Sequence, residues 1–246
     1  MEAEDYGQPM LSIVVPAFNE ASRIGDSIGR IDAFMRQSPL SFELIVVDDG
    51  SIDNTAEVVR RAQAKGLRLV RNETNHGKGY TARQGVLAAT GRYVLFTDAD
   101  LSAPIEEVNK LLDVATKEGA DIVIGSRAVD RKYIEKHQSS LREFGGIVFN
   151  LMVRLFLGLR LHDTQCGFKL FDRQRSRRSF EKLTTFGFGF DPELLFLAKR
   201  DGLSIREVPV RWSHMEGSKI NFFRDSIRMF SDLVRIRWNA AIGRYS

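Results

Sequence analysis

The chain is expected to fold as an α/β domain, a mostly parallel sheet with helices on both faces, and three observations carry that expectation. Short apolar runs that are continuous instead of alternating recur through the first half, as strands buried on both faces require. Segments with helical spacing lie between them. Polar clusters follow three of the runs, at Pro16 to Glu20, Asp48 to Ser51 and Asp98 to Asp100, the strand edge where ligands bind in such sheets.

Taken in order, Leu11 to Pro16 is a β-branched run closed by proline, and Asn19 to Ser22 leads into a helical pattern reaching about Gln37. Phe42 to Val47 is the second strand and Asn54 to Ala64 the next helix; Leu67 to Val70 is the third strand, followed by a helix over Gly79 to Ala89. Tyr93 to Thr97 is the fourth strand, Pro104 to Glu118 a helix, and Asp121 to Ile124 the fifth strand. Beyond that lie an amphipathic stretch over Ser140 to Leu161, a loop-like motif at Asp163 to Lys169, a helix from about Pro192 to Asp201, a strand near Ile205 to Trp212, and a terminal helix. A domain over residues 1–220, with a flexible start at 1–10, and an amphipathic helix over 221–246 are the expected units.

With 246 residues, 43% of them hydrophobic, the chain can bury a substantial core. A single cysteine, Cys166, excludes an internal disulfide framework and a Cys-rich zinc site, which suits a reducing compartment. Net charge is only +4, yet Arg127 to Lys182 holds thirteen Lys and Arg against six Asp and Glu. A basic middle suggests an anionic partner, although for any one arginine a solvated surface is the plainer explanation. Nucleic acid is not expected, since no recognised module accompanies the charge. No secretory leader is read at the start, and no apolar segment reaches membrane-spanning length.

Asp98-Ala-Asp100 after an apolar strand is the strongest candidate site. Two carboxylates there can hold a hard divalent ion, Mg²⁺ or Mn²⁺, against a nucleotide diphosphate as charge develops on the leaving oxygen. The competing structural role is a helix cap at Asp98 and a strand end at Asp100. Asp48-Asp49-Gly50-Ser51 is either a turn or a place where carboxylates accept hydrogen bonds from a base or ribose. His76-Gly77-Lys78-Gly79 before a helix can offer backbone N–H groups and an ammonium to an anion, or can be a glycine-rich lead-in. The histidines lack metal-ligand spacing, and Cys166 is better read as packed than as nucleophilic.

These residues resemble the inverting family 2 glycosyltransferases of the GT-A fold, and among them the polyprenyl-phosphate sugar transferases. Val15 to Glu20, Val47 to Ser51, Gly77 to Gly79 and Thr97 to Asp100 match the nucleotide-sugar half in order and spacing. Gly125-Ser126-Arg127, Asp163 to Lys169, Phe190 to Leu195 and Glu216 to Lys219 look most like the dolichyl-phosphate β-glucosyltransferase branch. The resemblance implies nucleotide contacts at Pro16, Asn19, Glu20, Asp48, Asp49, Lys78 and Asp98, and metal held by Asp98 and Asp100. It implies an acceptor-phosphate site at Arg127, Ser139 and Arg142, and sugar contacts at Asp163 and Gln165. Asp100, Arg127, Asp191 and Lys219 would form the catalytic group. Asp191 falls where many sugar transferases keep a base, but a lipid phosphate is already anionic and needs none, so Asp191 is expected to orient the sugar.

The implied donor is UDP-glucose, with GDP-mannose the alternative, and the acceptor is a polyprenyl or dolichyl phosphate. A transferase with a soluble acceptor and a non-catalytic nucleotide-sugar binder are the other readings. From Phe223, the spacing Phe223, Ile227, Phe230, Val234, Trp238 makes an apolar stripe beside Arg224, Arg228 and Arg235, fit to lie in a headgroup layer or to dock on the core. Gly145 to Leu161 admits the same two roles and self-association as a homo-oligomer. The expected location is cytoplasmic, peripheral on the cytoplasmic face of a membrane.

Overall fold

The computed structural model describes residues 8–136, 140–215 and 222–245, with the side chains of 131, 140–142 and 222–225 outside that description. Its strands are β1 (Leu11–Ala17), β2 (Phe42–Asp48), β3 (Leu67–Arg71), β4 (Tyr93–Thr97), β5 (Ile122–Ser126), β6 (Ile134–Lys136), β7 (Phe168–Asp172), β8 (Ile205–Pro209) and β9 (Trp212–Ser213). Its α-helices are α1 (Ile24–Gln37), α2 (Thr55–Arg61), α3 (Lys78–Ala88), α4 (Val108–Lys117), α5 (Ser140–Leu157), α6 (Arg173–Glu181), α7 (Phe190–Arg200) and α8 (Phe222–Ala241).

Among the described residues, seven strands form one sheet in the order β3-β2-β1-β4-β7-β5-β8, and β6 pairs with β9 in a small second ladder. All neighbours in the large sheet are parallel except β7, which runs antiparallel between β4 and β5. Both faces are covered, which explains the continuous apolar runs: Ile13 and Val15 pack toward Ile24, Ile28, Ile31 and Met35 of α1, while Val14 faces Ala82 and Val86 of α3. Every residue of β2 is buried, whereas the edge strands β3 and β8 are only partly so. Each fully enclosed Val, Leu or Ile contributes about 1.5–3 kcal/mol relative to exposure.

The segment after Asp163 departs from expectation. Read as a loop, it instead enters the sheet as β7, because Phe168 and Leu170 face one core layer and Phe171 the other, with Lys169 fully buried among them. A lysine inside an apolar run hid the strand, and the following α6 was hidden by its run of arginines. The helix expected over Asn54 to Ala64 is shorter, ending at Arg61, where Ala62 turns extended.

α8 does not stand apart as an appendage: Leu233 and Ile236 are buried in the same core as α7 and β4. The stripe singled out in the sequence is its other face. Ile227, Phe230, Val234 and Trp238 are all exposed, so the helix docks through one face and presents a second apolar face outward. α5 lies beside it, with Phe156 and Phe230 in edge contact at 5.7 Å, and exposes Phe144, Ile147, Leu151 and Leu155. None of the helices in the described residues is long and apolar enough to cross a membrane.

Candidate active site

The C-terminal ends of β1, β2 and β4 gather the predicted residues on one edge. At β1, Asn19 adopts a left-handed backbone (φ 53°), tolerable for asparagine, donates its N–H to Ser51 Oγ (2.8 Å) and accepts the Ile52 N–H on Oδ1 (2.9 Å). Pro16, Asn19 and Glu20 remain partly exposed on this rim, and the Glu20 carboxylate pairs with Arg23 Nε at 2.7 Å.

At β2 the two aspartates part company. Asp49 accepts the N–H groups of His76 (3.0 Å) and Gly77 (2.7 Å) and the Asn72 amide (2.8 Å), so it braces the loop that carries Lys78. The expected anion cradle of backbone N–H groups at 76–79 is therefore corrected: those donors are consumed by Asp49, and the Gly79 N–H by the Phe186 carbonyl (2.8 Å). That loop offers an anion the Lys78 ammonium. Asp48, expected to contact the nucleotide, is fully enclosed; it braces the Ser51 N–H (3.1 Å) and stands 3.1 Å from Arg71 Nε. Successive residues of a strand point to opposite faces, which removes Asp48 from the ligand side.

At β4, Asp98 and Asp100 sit on a turn held from behind. Ser27 Oγ of α1 donates to the Ala99 carbonyl (2.6 Å), and Leu101 is forced to φ 48°, a strain stored next to the candidate metal ligands. Asp98 Oδ1 pairs with Lys78 Nζ at 2.6 Å, and its N–H bonds the Gly167 carbonyl (3.2 Å). A Cβ at Gly167 would lie 1.9 Å from Asp98 Oδ2, so glycine there makes room for the carboxylate. Asp100 Oδ1 takes the Ser102 N–H (2.9 Å), and its Oδ2 lies 4.0 Å from Arg23. Among the described residues no group of three or more His, Cys, Asp or Glu is arranged to hold a metal by itself. Two hard carboxylates with oxygen surface remaining fit a divalent ion whose other ligands come from diphosphate and water.

Asp191, on the first turn of α7, is 4% exposed, and the fully buried Lys169 ammonium stands 2.7 Å from its Oδ1. Burial raises the Asp191 carboxyl above its ordinary range despite the pull of Lys169 and Lys78. Lys78 moves the other way: burial opposes its charge, yet Asp98, Asp191 and Asp100 outweigh that and raise it. The charges alternate along the site as Asp98, Lys78, Asp191, Lys169. Cys166, whose thiol is pushed up to about 12 by burial and by Asp163, is no nucleophile.

A cleft of about 450 Å³ opens between the end of β5 and α5, lined by Arg127, Asn150, Leu151, Arg154, Gln165 and Trp212. Arg127 enters it differently from expectation. Its Nε (2.6 Å) and Nη2 (2.8 Å) grip both oxygens of Asp163, and its plane lies 5.3 Å from the Trp212 ring. Asp163 is correspondingly corrected as a sugar ligand, because both its oxygens are spent on Arg127 and on the Gln165 N–H (3.1 Å). Gln165 stays on the cleft wall. Ser139 and Lys219 lie outside the described residues; Arg142 is on the first turn of α5, its side chain outside the description.

The Arg127 pair makes a pH prediction. Burial alone would raise Asp163, but Arg127 holds it down at about 2. A carboxyl depressed in the folded state stabilises above its unfolded value and loses that stabilisation as pH falls from about 4 to about 2. Wild type should lose about 2 kcal/mol across that window beyond what Asp163→Asn loses, read by denaturant titration at successive pH values.

Sequence reasoning gave no role of their own to Lys169, Gly167, Ser27 or Trp212, although the first two lie within the motif over Asp163 to Lys169.

The chain is 36% identical over 247 residues to a protein of Dictyostelium discoideum named dolichyl-phosphate beta-glucosyltransferase, covering 95% of this chain and 75% of that one. A Saccharomyces cerevisiae protein of the same name is 37% identical over 265 residues, covering 99% and 79%. Among solved structures, mannosyl-3-phosphoglycerate synthase from Rubrobacter xylanophilus superposes with a TM-score of 0.70 at 24% identity, over 96% of this chain and 75% of that one. Glucosyl-3-phosphoglycerate synthase from Mycobacterium tuberculosis, in complex with UDP, gives 0.66 at 22%, over 97% and 80%. Those two likenesses establish the GT-A fold. Residues 12–180, which carry the ends of β1, β2 and β4, match the family model, and the chain belongs to glycosyl transferase family 2.

Proposed function

We propose that this protein transfers glucose from UDP-glucose, with inversion, to dolichyl phosphate or a related polyprenyl phosphate. The observation that carries the reading is the cleft at Arg127, which joins arginine and indole surface to the outward apolar residues of α5. An acceptor with an anionic head and a hydrocarbon tail suits such a lining, and the names of the relatives over nearly the whole chain support it.

In this reading Pro16, Asn19, Glu20 and the Asp49-braced loop frame the nucleotide. Asp98 and Asp100 hold Mg²⁺ or Mn²⁺, which when bound supplies charge neutralisation for the departing diphosphate. Lys78 exchanges its pairing with Asp98 for the diphosphate. Arg127, fixed by Asp163, turns its outer edge to the acceptor phosphate together with Arg142 and Ser139, and Gln165 lies on the sugar's path. The phosphate attacks without a strong base, so Asp191 orients the sugar, and most of the rate comes from positioning. Lys219 is the remaining member of the catalytic group in this reading.

The test offers purified protein a short polyprenyl phosphate or a soluble phosphate acceptor, with UDP-glucose or GDP-mannose, in Mg²⁺ or Mn²⁺. Glucosylated lipid from UDP-glucose is expected; sugar on the soluble acceptor alone, or mannose alone, would sink the reading.

The apolar faces of α5 and α8 are the proposed membrane surface, placed on the cytoplasmic leaflet, with Arg154, Arg228 and Arg235 along them to meet anionic headgroups. Leu155→Glu with Trp238→Glu is expected to weaken sedimentation with anionic phospholipid vesicles by at least about tenfold, at unchanged melting temperature. Undiminished vesicle binding would refute this surface, and a dimer of wild type that the double variant turns to monomer would assign it to self-association instead.

A further inference from the structure

Lys169 is the least expected residue in the core. On β7 it is paired with Phe96 of β4 on one side and Ile124 of β5 on the other, in the middle of the sheet. Its neighbours Phe168 and Leu170 face the opposite core layer, and its own side chain is fully buried. Packing alone would fill this place with an aliphatic residue. A buried ion pair is a weak source of stability, since desolvation consumes most of the attraction and a well-packed apolar substitute for both partners is often no worse. The advantage of a lysine here must therefore be sought in what its ammonium holds.

It holds two things. Nζ donates to the Cys166 carbonyl and stands 2.7 Å from Asp191 Oδ1, joining the turn before β7 to the first turn of α7. That turn continues into Gly167, whose carbonyl receives the Asp98 N–H and whose bare Cα backs the Asp98 carboxylate. Phe190, next to Asp191, packs edge-on against Phe96 at 5.8 Å, closing the same layer from above. One ammonium thus ties the carboxylate assigned to the sugar to the backbone that seats the carboxylate assigned to the metal.

We infer that Lys169 is a positioning residue for transfer, setting the place of the Asp191 carboxylate relative to Asp98. The inference rests on the assignment of Asp191 to the sugar under the proposed function. Because Lys169 acts through Asp191, its removal matters only while Asp191 is present. No direct contact with donor or acceptor is required of it.

The experiment is a double-mutant cycle on the full chain with the donor and acceptor that the assay selects. Lys169→Met should lower kcat by about a hundredfold while the donor KM changes less than about threefold, and Lys169→Arg should recover most of that loss. In an Asp191→Asn background, Lys169→Met should add less than about twofold. Melting temperatures run alongside, because a merely structural lysine would lower stability in both backgrounds without the kcat-specific loss. Equal kcat losses in both backgrounds, wild-type kcat in Lys169→Met, or no recovery with arginine would each overturn the inference. A normal rate in Asp191→Asn would sink the assignment of Asp191 first, and a defective Asp191→Asn with an unimpaired Lys169→Met would sink Lys169 alone. If Lys169→Met is too unstable to purify, Lys169→Arg against wild type and the double variant against Asp191→Asn decide the same question.

Discussion

Gly167→Ala is expected to cripple the enzyme through one methyl group. The new Cβ would sit 1.9 Å from Asp98 Oδ2 and 2.4 Å from its Cγ, separations no packed structure tolerates, so the Asp98 carboxylate must rotate away. Gly167 is not among the glycines with positive φ, so alanine is compatible with its backbone and the fold should survive. The effect lands on function: Asp98 leaves its position, Lys78 loses its partner, and affinity for metal-bound UDP should fall at least about tenfold with a larger loss in turnover. Calorimetric titration of UDP with Mn²⁺, beside a thermal melt, separates the two. A variant that binds metal and nucleotide like wild type would place Asp98 outside the donor site.

Asp100→Ala should be the most severe of the single substitutions, lowering turnover by on the order of a hundredfold or more. Its side chain accepts one backbone hydrogen bond, from Ser102, and keeps a quarter of its surface exposed, so stability should change by no more than about 1 kcal/mol. The loss should appear with a weakened metal affinity: raising Mn²⁺ should recover part of the rate in Asp100→Ala, where Asp98 still offers the ion a carboxylate. A near-normal rate at saturating donor would remove Asp100 from the metal site.

Much of this protein was legible in its order of residues. β1, β2, β4 and β5 announce themselves because strands buried on both faces must be apolar throughout, and that signal is local. The carboxylates at the end of β4 were legible for the same reason, since the last buried residue marks where side chains meet solvent, whereas Asp48 and Asp49 at the end of β2 are buried. The segment over 163–172 was not legible. β7 has an antiparallel direction and a charged residue at its centre, and its place between β4 and β5 depends on partners more than forty residues away in the chain.

The outward stripe of α8 shows a different limit. Ile227, Phe230, Val234 and Trp238 repeat at helical spacing whichever side the helix docks, and periodicity alone cannot say which of two apolar faces is inward. The answer came from the far end of the helix. Tyr245 donates to the buried Glu193 carboxylate, which also takes the N–H groups of Thr184 (3.1 Å) and Thr185 (2.6 Å), and Asn239 reaches the Thr184 hydroxyl (3.3 Å). Those contacts fix the rotation of α8 about its axis, turning Leu233 and Ile236 inward and leaving the stripe exposed.

By itself the sequence determined the α/β layering, the strand edge on which the site lies, and the family, because burial pattern and motif spacing are properties of neighbouring residues. Tertiary structure alone decided which charges belong to ligands and which to each other. Asp163 went to Arg127, Asp48 to its own turn and Arg71, Asp49 to the loop of Lys78, and Asp191 to Lys169. The reason is physical: a carboxylate is assigned by the cations and N–H groups that folding brings within about 3 Å of it, and those come from strands and helices distant in the chain.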